Sequence, residues 1–204
     1  MPPRFNYEGS ENVKDVAVLW PAPMRFSDGS GTSIGYIDHT IFPLRISLQD
    51  ASKPAVLRLT VDYAVCEKLC VPVDAKLELP LIVAGSLHEA ALTASEARVP
   101  HTRTIAADGP LAVSSIRREA GSPYERVIVD VKAPSDSDVD LFAEGPSPEW
   151  ALPLPEPVGT TPDGVRRFAF NLDGLPPGAR AKGALLKLTA VSPDAAIEVA
   201  AHLD

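Results

Sequence analysis

Apolar positions in this chain recur mostly with a period of two, which predicts strands rather than helices. The cleanest stretch is 55–65, AVLRLTVDYAV. Val56, Leu57, Leu59, Val61, Tyr63 and Val65 supply its apolar set, with Arg58, Thr60 and Asp62 between most of them. Residues 75–84, AKLELPLIVA, alternate again, so the two runs predict a β-hairpin with the intervening segment at its tip. Shorter runs at 13–19 and 41–48 predict two more strands, with Pro43 marking an edge or a bulge because proline cannot donate to a ladder. Between them, Met24 to Gly35 contains Ser27-Asp28-Gly29-Ser30-Gly31 and predicts a flexible loop.

A helical period occurs once with conviction. Ser86-Leu87-His88-Glu89 has the form of a capping box, and Leu87, Ala90, Ala91 and Ala94 follow at helical spacing until Pro100. One helix is therefore expected at about 87–97, closing a first domain over residues 1–100. Strand patterns then restart at 111–118, 124–132, 138–143, 165–172, 183–191 and 195–201. Turns rich in proline and glycine separate several of them, notably Gly145–Val158 and Gly174–Gly178. Short strands at this spacing predict a second β-sandwich domain over 101–204.

Composition agrees with an all-β reading. The chain has 45% hydrophobic and 23% charged residues, close to globular averages, yet carries 21 prolines. Proline is kept out of helix interiors and central strands, so such abundance suits many short strands joined by turns. The formal net charge of −8 is spread over both halves without a basic stripe. Nucleic acid and anionic membranes are thus not expected as partners. No apolar run approaches the length of a membrane-crossing helix, and Met-Pro-Pro-Arg-Phe lacks the basic-then-apolar pattern of a signal peptide. G-x-S-x-G, G-x-G-x-x-G and P-loop motifs do not occur, which argues against conventional hydrolase or nucleotide chemistry.

Chemistry concentrates at the hairpin tip. The chain has 2 cysteines, Cys66 and Cys70, in the run Tyr63-Ala64-Val65-Cys66-Glu67-Lys68-Leu69-Cys70-Val71-Pro72. Two cysteines so placed can reach disulfide distance. A structural staple is one reading, but closing so short a loop removes only about 2 kcal/mol of unfolded-chain entropy. Cu(I) binding is another, since two thiolates suit a soft ion, with His39 and His101 as further but poorly spaced donors. Zinc would need a second pair. Thiol–disulfide exchange is the third, because a close, exposed pair supplies both an attacking thiolate and a resolving thiol. Lys68 would favour the thiolate and Glu67 would oppose it, so the sequence does not set the thiol pKa. Spacing alone leaves copper and exchange nearly balanced. Tyr36 and Tyr63 are candidates to line the surroundings of the pair, with ordinary packing as the alternative for both.

The run Val61–Pro72 resembles the periplasmic N-terminal domain of DsbD-type thiol:disulfide interchange proteins, and looks nearest to their ScsB branch, named for suppression of copper sensitivity. Val18-Leu19-Trp20-Pro21-Ala22-Pro23 with Arg25-Phe26, Gly35-Tyr36 leading to Phe42-Pro43-Leu44, and Leu77-Glu78-Leu79-Pro80-Leu81 carry the same likeness. The resemblance covers about residues 4–100 well and the remainder more weakly. It implies an immunoglobulin-like β-sandwich bearing a redox-active disulfide, a periplasmic location, and protein-disulfide reductase activity without an organic cofactor. It implies as partners thioredoxin-fold proteins of the disulfide-isomerase kind, and the membrane and C-terminal thioredoxin-like domains of a longer chain. Cys70 would form mixed disulfides, Cys66 would resolve them, and Phe26 would shield the pair.

Departures from that family are visible. DsbD proper has five residues between its cysteines where this chain has Glu67-Lys68-Leu69, and the stretch from Phe26 to Tyr36 is longer and richer in glycine. Set against the family, further strands are expected ahead of the stretch matched by Pro3-Arg4-Phe5.

Overall fold

The computed structural model describes residues 3–27, 31–66, 69–82, 88–135 and 137–204. It is built almost wholly of strands, as the alternating pattern requires, and divides into two compact units, Met1–Val99 and Pro100–Asp204. The first unit contains β1 (Arg4–Asn6), β2 (Val13–Val18), β3 (Met24–Ser27), β4 (Thr32–Gly35), β5 (Leu44–Leu48), β6 (Ala55–Cys66), β7 (Cys70–Leu81) and the helix α1 (Glu89–Glu96). The second contains β8 (His101–Arg103), β9 (Ala112–Glu119), β10 (Arg126–Lys132), β11 (Asp140–Glu144), β12 (Glu156–Thr160), β13 (Arg166–Asn171), β14 (Leu185–Val191) and β15 (Ala196–His202).

In the first unit β6 is the central strand of a three-stranded sheet ordered β1-β6-β7, while β2 pairs with β5 and β3 with β4. Leu57 and Ala55 of β6 are buried, as are Val16, Pro21, Ala22 and Pro43. An aromatic group adds to this core. The Phe42 ring meets Phe5, Trp20 and Tyr36 edge-on at centroid separations of 5.5, 5.1 and 5.2 Å, the spacing at which aromatic quadrupoles attract. Asn12 fixes the approach to β6. Its φ of 56° lies in the left-handed region that asparagine tolerates, and its side-chain amide donates to the carbonyls of Asp50, Lys53 and Pro54. The Asp50 N–H donates back to Asn12 Oδ1, which ties the turn before β6 to the start of β2.

Two expectations for this unit are corrected. The stretch from Met24 to Gly35 is not simply a flexible loop: Met24–Ser27 and Thr32–Gly35 form an antiparallel hairpin, with Phe26 opposite Ser33. The helix begins later than the capping box implies. His88 stands at its N-cap without a side-chain cap bond, which puts Glu89 in the first turn, where a carboxylate complements the helix dipole. Ser86 and Leu87 lie outside the described residues. The alanines of α1 face solvent, and the residue it buries is Ser95, whose hydroxyl donates to the Ile41 carbonyl.

The second unit is a β-sandwich. One sheet runs β12-β13-β10-β9, the other β11-β14-β15-β8, and β8 joins β15 in parallel. The period-two pattern sends Val127, Val129 and Val131 of β10 and Phe168 and Phe170 of β13 inward from the first sheet. Leu186, Leu188 and Ala190 of β14 and Ile197, Val199 and Ala201 of β15 come from the second. Together they form one core. On the other face of β10, Asp130 accepts from Arg167 Nε at 2.7 Å, Arg117 Nη1 at 3.2 Å and Ser115 Oγ at 3.2 Å. The Arg167 guanidinium, by its hydrogen bond, holds the Asp130 carboxyl below the usual carboxylate range.

Two outcomes follow for stability. Leu188 is wholly buried, so Leu188→Ala should cost about 2–5 kcal/mol in a urea titration. Asp130 has a depressed folded-state pKa, so its contribution is complete above the unfolded value of about 4 and is lost as pH falls through the folded value. Asp130→Asn should therefore lower stability at pH 7 by about 1–3 kcal/mol. It should also flatten the fall in stability below about pH 4, as read from denaturation midpoints at neutral and acid pH.

Candidate functional site

The site sits at the tip of the β6–β7 hairpin, whose register runs unbroken from Ala55 opposite Leu81 to Cys66 opposite Cys70. In an antiparallel ladder, residues alternate between exchanging hydrogen bonds with the partner strand and pointing their N–H and C=O away from it. Two contacts on the far side of β6 decide which residues do which. Val56 exchanges both main-chain bonds with Glu11, at 2.8 and 3.1 Å. Arg58 gives its N–H to Ser10 Oγ and accepts the Ser10 hydroxyl at its carbonyl. Even-numbered residues of β6 therefore face away from β7, and the pairs Val56–Pro80, Ala64–Pro72 and Cys66–Cys70 are of the non-hydrogen-bonded kind. Such pairs bring the Cα atoms closest. Cys66 and Cys70 have Cα atoms 4.0 Å apart and are joined by a disulfide with an S–S distance of 2.06 Å.

The same parity explains the two prolines of β7. Pro72 and Pro80 both occupy positions whose nitrogen faces out of the ladder, so neither removes a bond to β6. Among the described residues β7 pairs with β6 alone, and its outer edge is open.

Side chains of directly opposed residues share a face. The sulfurs thus lie on the same face as Ala64 and Pro72, then Asp62 and Asp74, then Thr60 and Lys76, then Arg58 and Glu78. Arg58 is ion-paired there with both Glu11 and Glu78, at 2.8 and 3.0 Å. The opposite face carries Val65 and Val71, Tyr63 and Val73, Val61 and Ala75, and Leu59 and Leu77. Both cysteines are exposed. Around them Val65 is 56%, Val71 57% and Leu69 81% exposed, an apolar rim held in water beside the bridge.

The other residues singled out by sequence fall into distinct places. Tyr63 is half-buried on the face away from the sulfurs, opposite Val73. Tyr36 follows β4, with its ring against Phe42 and its hydroxyl donating to the Pro21 carbonyl at 2.8 Å. Burial raises its pKa to about 12, opposed by the nearby Arg98 charge, so it stays protonated throughout the ordinary range. Phe26 lies on β3 with its ring over Gly35. A side chain at Gly35 would start 3.6 Å from Phe26 Cε1, an ordinary van der Waals contact. Glu67 and Lys68 lie outside the described residues.

Three features escaped the sequence reading. Phe5, on β1 opposite Val61, joins the aromatic group, although nothing near it in sequence announces a partner so far along the chain. The exposure of Leu69 follows from its place at the tip. The outward parity of Pro72 and Pro80 had a signal, because two prolines separated by an even number of residues share one side of a strand.

An exposed cross-strand disulfide on an all-β domain is the arrangement that thiol–disulfide exchange requires. Residues 2–82, which include both cysteines, match the family model of the thiol:disulfide interchange protein DsbD, N-terminal, a domain with an immunoglobulin-like fold. Over its whole length the chain superposes on the crystal structure of the N-terminal periplasmic domain of ScsB from Proteus mirabilis. The TM-score is 0.75 with 16% sequence identity, and the match covers 100% of this chain and 77% of that one. No curated protein sequence matches the chain. The chain is thus a thiol–disulfide oxidoreductase domain in general terms. Copper binding by the two cysteines gains no support from either comparison.

The Tyr36 hydroxyl is committed to a main-chain carbonyl, so its removal should be felt in stability rather than in exchange. Tyr36→Phe should cost about 0.5–1.5 kcal/mol by urea denaturation and leave the rate of reduction by dithiothreitol unchanged.

Proposed function

We propose that this module relays electrons by disulfide exchange between a membrane-embedded reductase segment of a longer chain and thioredoxin-fold proteins in the bacterial periplasm, acting as a protein-disulfide reductase. The observation that carries the reading is the exposed Cys66–Cys70 bridge at the tip of a hairpin in the segment that matches the DsbD N-terminal family model. No cofactor takes part beyond the disulfide itself.

In the reducing direction the Cys70 thiolate attacks one sulfur of the partner's disulfide. That S–S bond breaks, a Cys70–partner bond forms, and one partner thiolate leaves. The Cys66 thiolate then attacks the Cys70 sulfur, displaces the second partner thiolate and restores the Cys66–Cys70 bond. The partner gains two electrons, this chain loses two, and the released thiolates take up protons according to their pKa values and the solvent pH. The reverse sequence with a dithiol of the reductase segment returns the pair to its reduced form. Lys68 would promote the Cys70 thiolate and Glu67 would restrain it. By family likeness Phe26 shields the pair between encounters.

Trapping tests the assignment. Cys66→Ser should accumulate a mixed disulfide with a thioredoxin-fold protein through Cys70, while Cys70→Ser should accumulate little, as seen on non-reducing gels. Equal accumulation by both variants would overturn the roles. Reduction of the native pair by dithiothreitol should lower stability in urea by about 2 kcal/mol or less, because the bridge closes so short a loop. A much larger loss without exchange activity would show a structural staple instead.

A further inference from the structure

The reactive end of the hairpin extends beyond its neighbours. β1 lies along β6 only as far as Arg4 opposite Asp62, whereas the β6–β7 register continues through Tyr63–Val73, Ala64–Pro72 and Val65–Val71 to Cys66–Cys70. Among the described residues no third strand flanks those four rungs. A two-stranded ribbon is marginal by itself, and packing adds little here, since Val65, Val71 and both cysteines are exposed. By the parity established above, Val65–Val71 is the last rung that exchanges main-chain bonds, and Cys66–Cys70 adds none. Once the bridge is reduced, the alignment of the two thiols rests on that one rung and on the chain behind it.

The residue immediately behind that rung on β7 is Pro72. Its ring fixes φ at about −65°, and its nitrogen faces out of the ladder, so the restriction comes without loss of a bond to β6. Pro80 differs in its surroundings. It has the same parity, but it stands opposite Val56, which Glu11 bonds from the other side, so chain on both flanks of β6 holds that stretch.

We propose that Pro72 is a positioning residue for the exchange: by stiffening β7 beside Cys70 it keeps the two thiols opposed while the bridge is open. This deepens the exchange reading above and rests on it. The step that gains is resolution, in which the Cys66 thiolate attacks the Cys70 sulfur, the Cys70–partner bond breaks and the partner thiolate leaves. A frayed tip separates Cys66 from that sulfur, whereas a stiff one keeps the two within reach. The closed bridge holds the tip by itself, so Pro72 acts on the open form.

The test titrates the full native chain, Pro72→Ala and Pro80→Ala with glutathione redox buffers, counting free thiols by alkylation and mass spectrometry. The equilibrium constant for closing the bridge should fall about two- to fivefold in Pro72→Ala, the range that freeing one proline dihedral implies, and stay unchanged in Pro80→Ala. Amide exchange, read by NMR, should show Val65 and Val71 opening faster by a similar factor in reduced Pro72→Ala, while the oxidised chains exchange alike. Pro72→Val, whose branched side chain favours extended backbone, should fall between the native chain and Pro72→Ala. An unchanged constant in Pro72→Ala, an equal fall in Pro80→Ala, or a constant for Pro72→Val below that of Pro72→Ala would overturn the positioning role. Reduction of a thioredoxin disulfide by the native dithiol is followed separately. Its absence would remove the exchange reading itself, whereas exchange with a constant indifferent to Pro72 would remove only the positioning role.

Discussion

The antiparallel register of β6 against β7 is the constraint on which the rest of the site depends. Once Val56 and Arg58 give their main-chain bonds to Glu11 and Ser10, every other residue of β6 is committed to β7, and the alternation propagates without a bulge to the tip. That commitment brings the two cysteines together as the closest kind of cross-strand pair. It also settles on which face the sulfurs lie and which main-chain groups are left outside the ladder. A shift by one residue would turn the sulfurs onto the face of Val65 and Val71 and move proline nitrogens into bonding positions. Two contacts far from the sulfurs thus hold the chemistry in place.

Much of this was legible in the sequence. The strict alternation of 55–65 and 75–84 gave the hairpin, and the cysteines marked its tip. The β-rich second half showed its core in Val127-x-Val129-x-Val131 and Leu186-x-Leu188-x-Ala190. What was hidden depends on partners distant in sequence or on weak local preference. β1 has only three residues and acquires its conformation from Thr60–Asp62, far along the chain. The β3–β4 hairpin was masked by serine and glycine, which read as loop when taken alone. β12 escaped for a similar reason: Glu-Pro-Val-Gly-Thr contains two residues disfavoured in strands, tolerated at the sheet edge beside β13. The parity of the prolines needed bonds from Ser10 and Glu11 that no local pattern encodes.

The two units differ in what their apolar residues do. In the second, long runs of wholly buried valine, leucine and phenylalanine form one continuous core, and the polar work is confined to networks such as Asp130 with Arg117 and Arg167. In the first, an aromatic group and a few buried aliphatic residues support a hairpin that keeps several large apolar side chains in water. Stability rests on one unit's interior and reactivity on the other's surface.

An open strand beside exposed leucines and valines would ordinarily invite copies of the same molecule to stack on one another. The order of residues along β7 discourages this. Antiparallel self-pairing centred on Lys76 would set Lys76 against Lys76, Asp74 against Glu78 and Pro72 against Pro80, and parallel in-register stacking would oppose every residue to its twin. Like charges meet in both arrangements, and the prolines withhold donors at either end. Both of those self-pairings are thereby disfavoured at the edge beside the reactive tip.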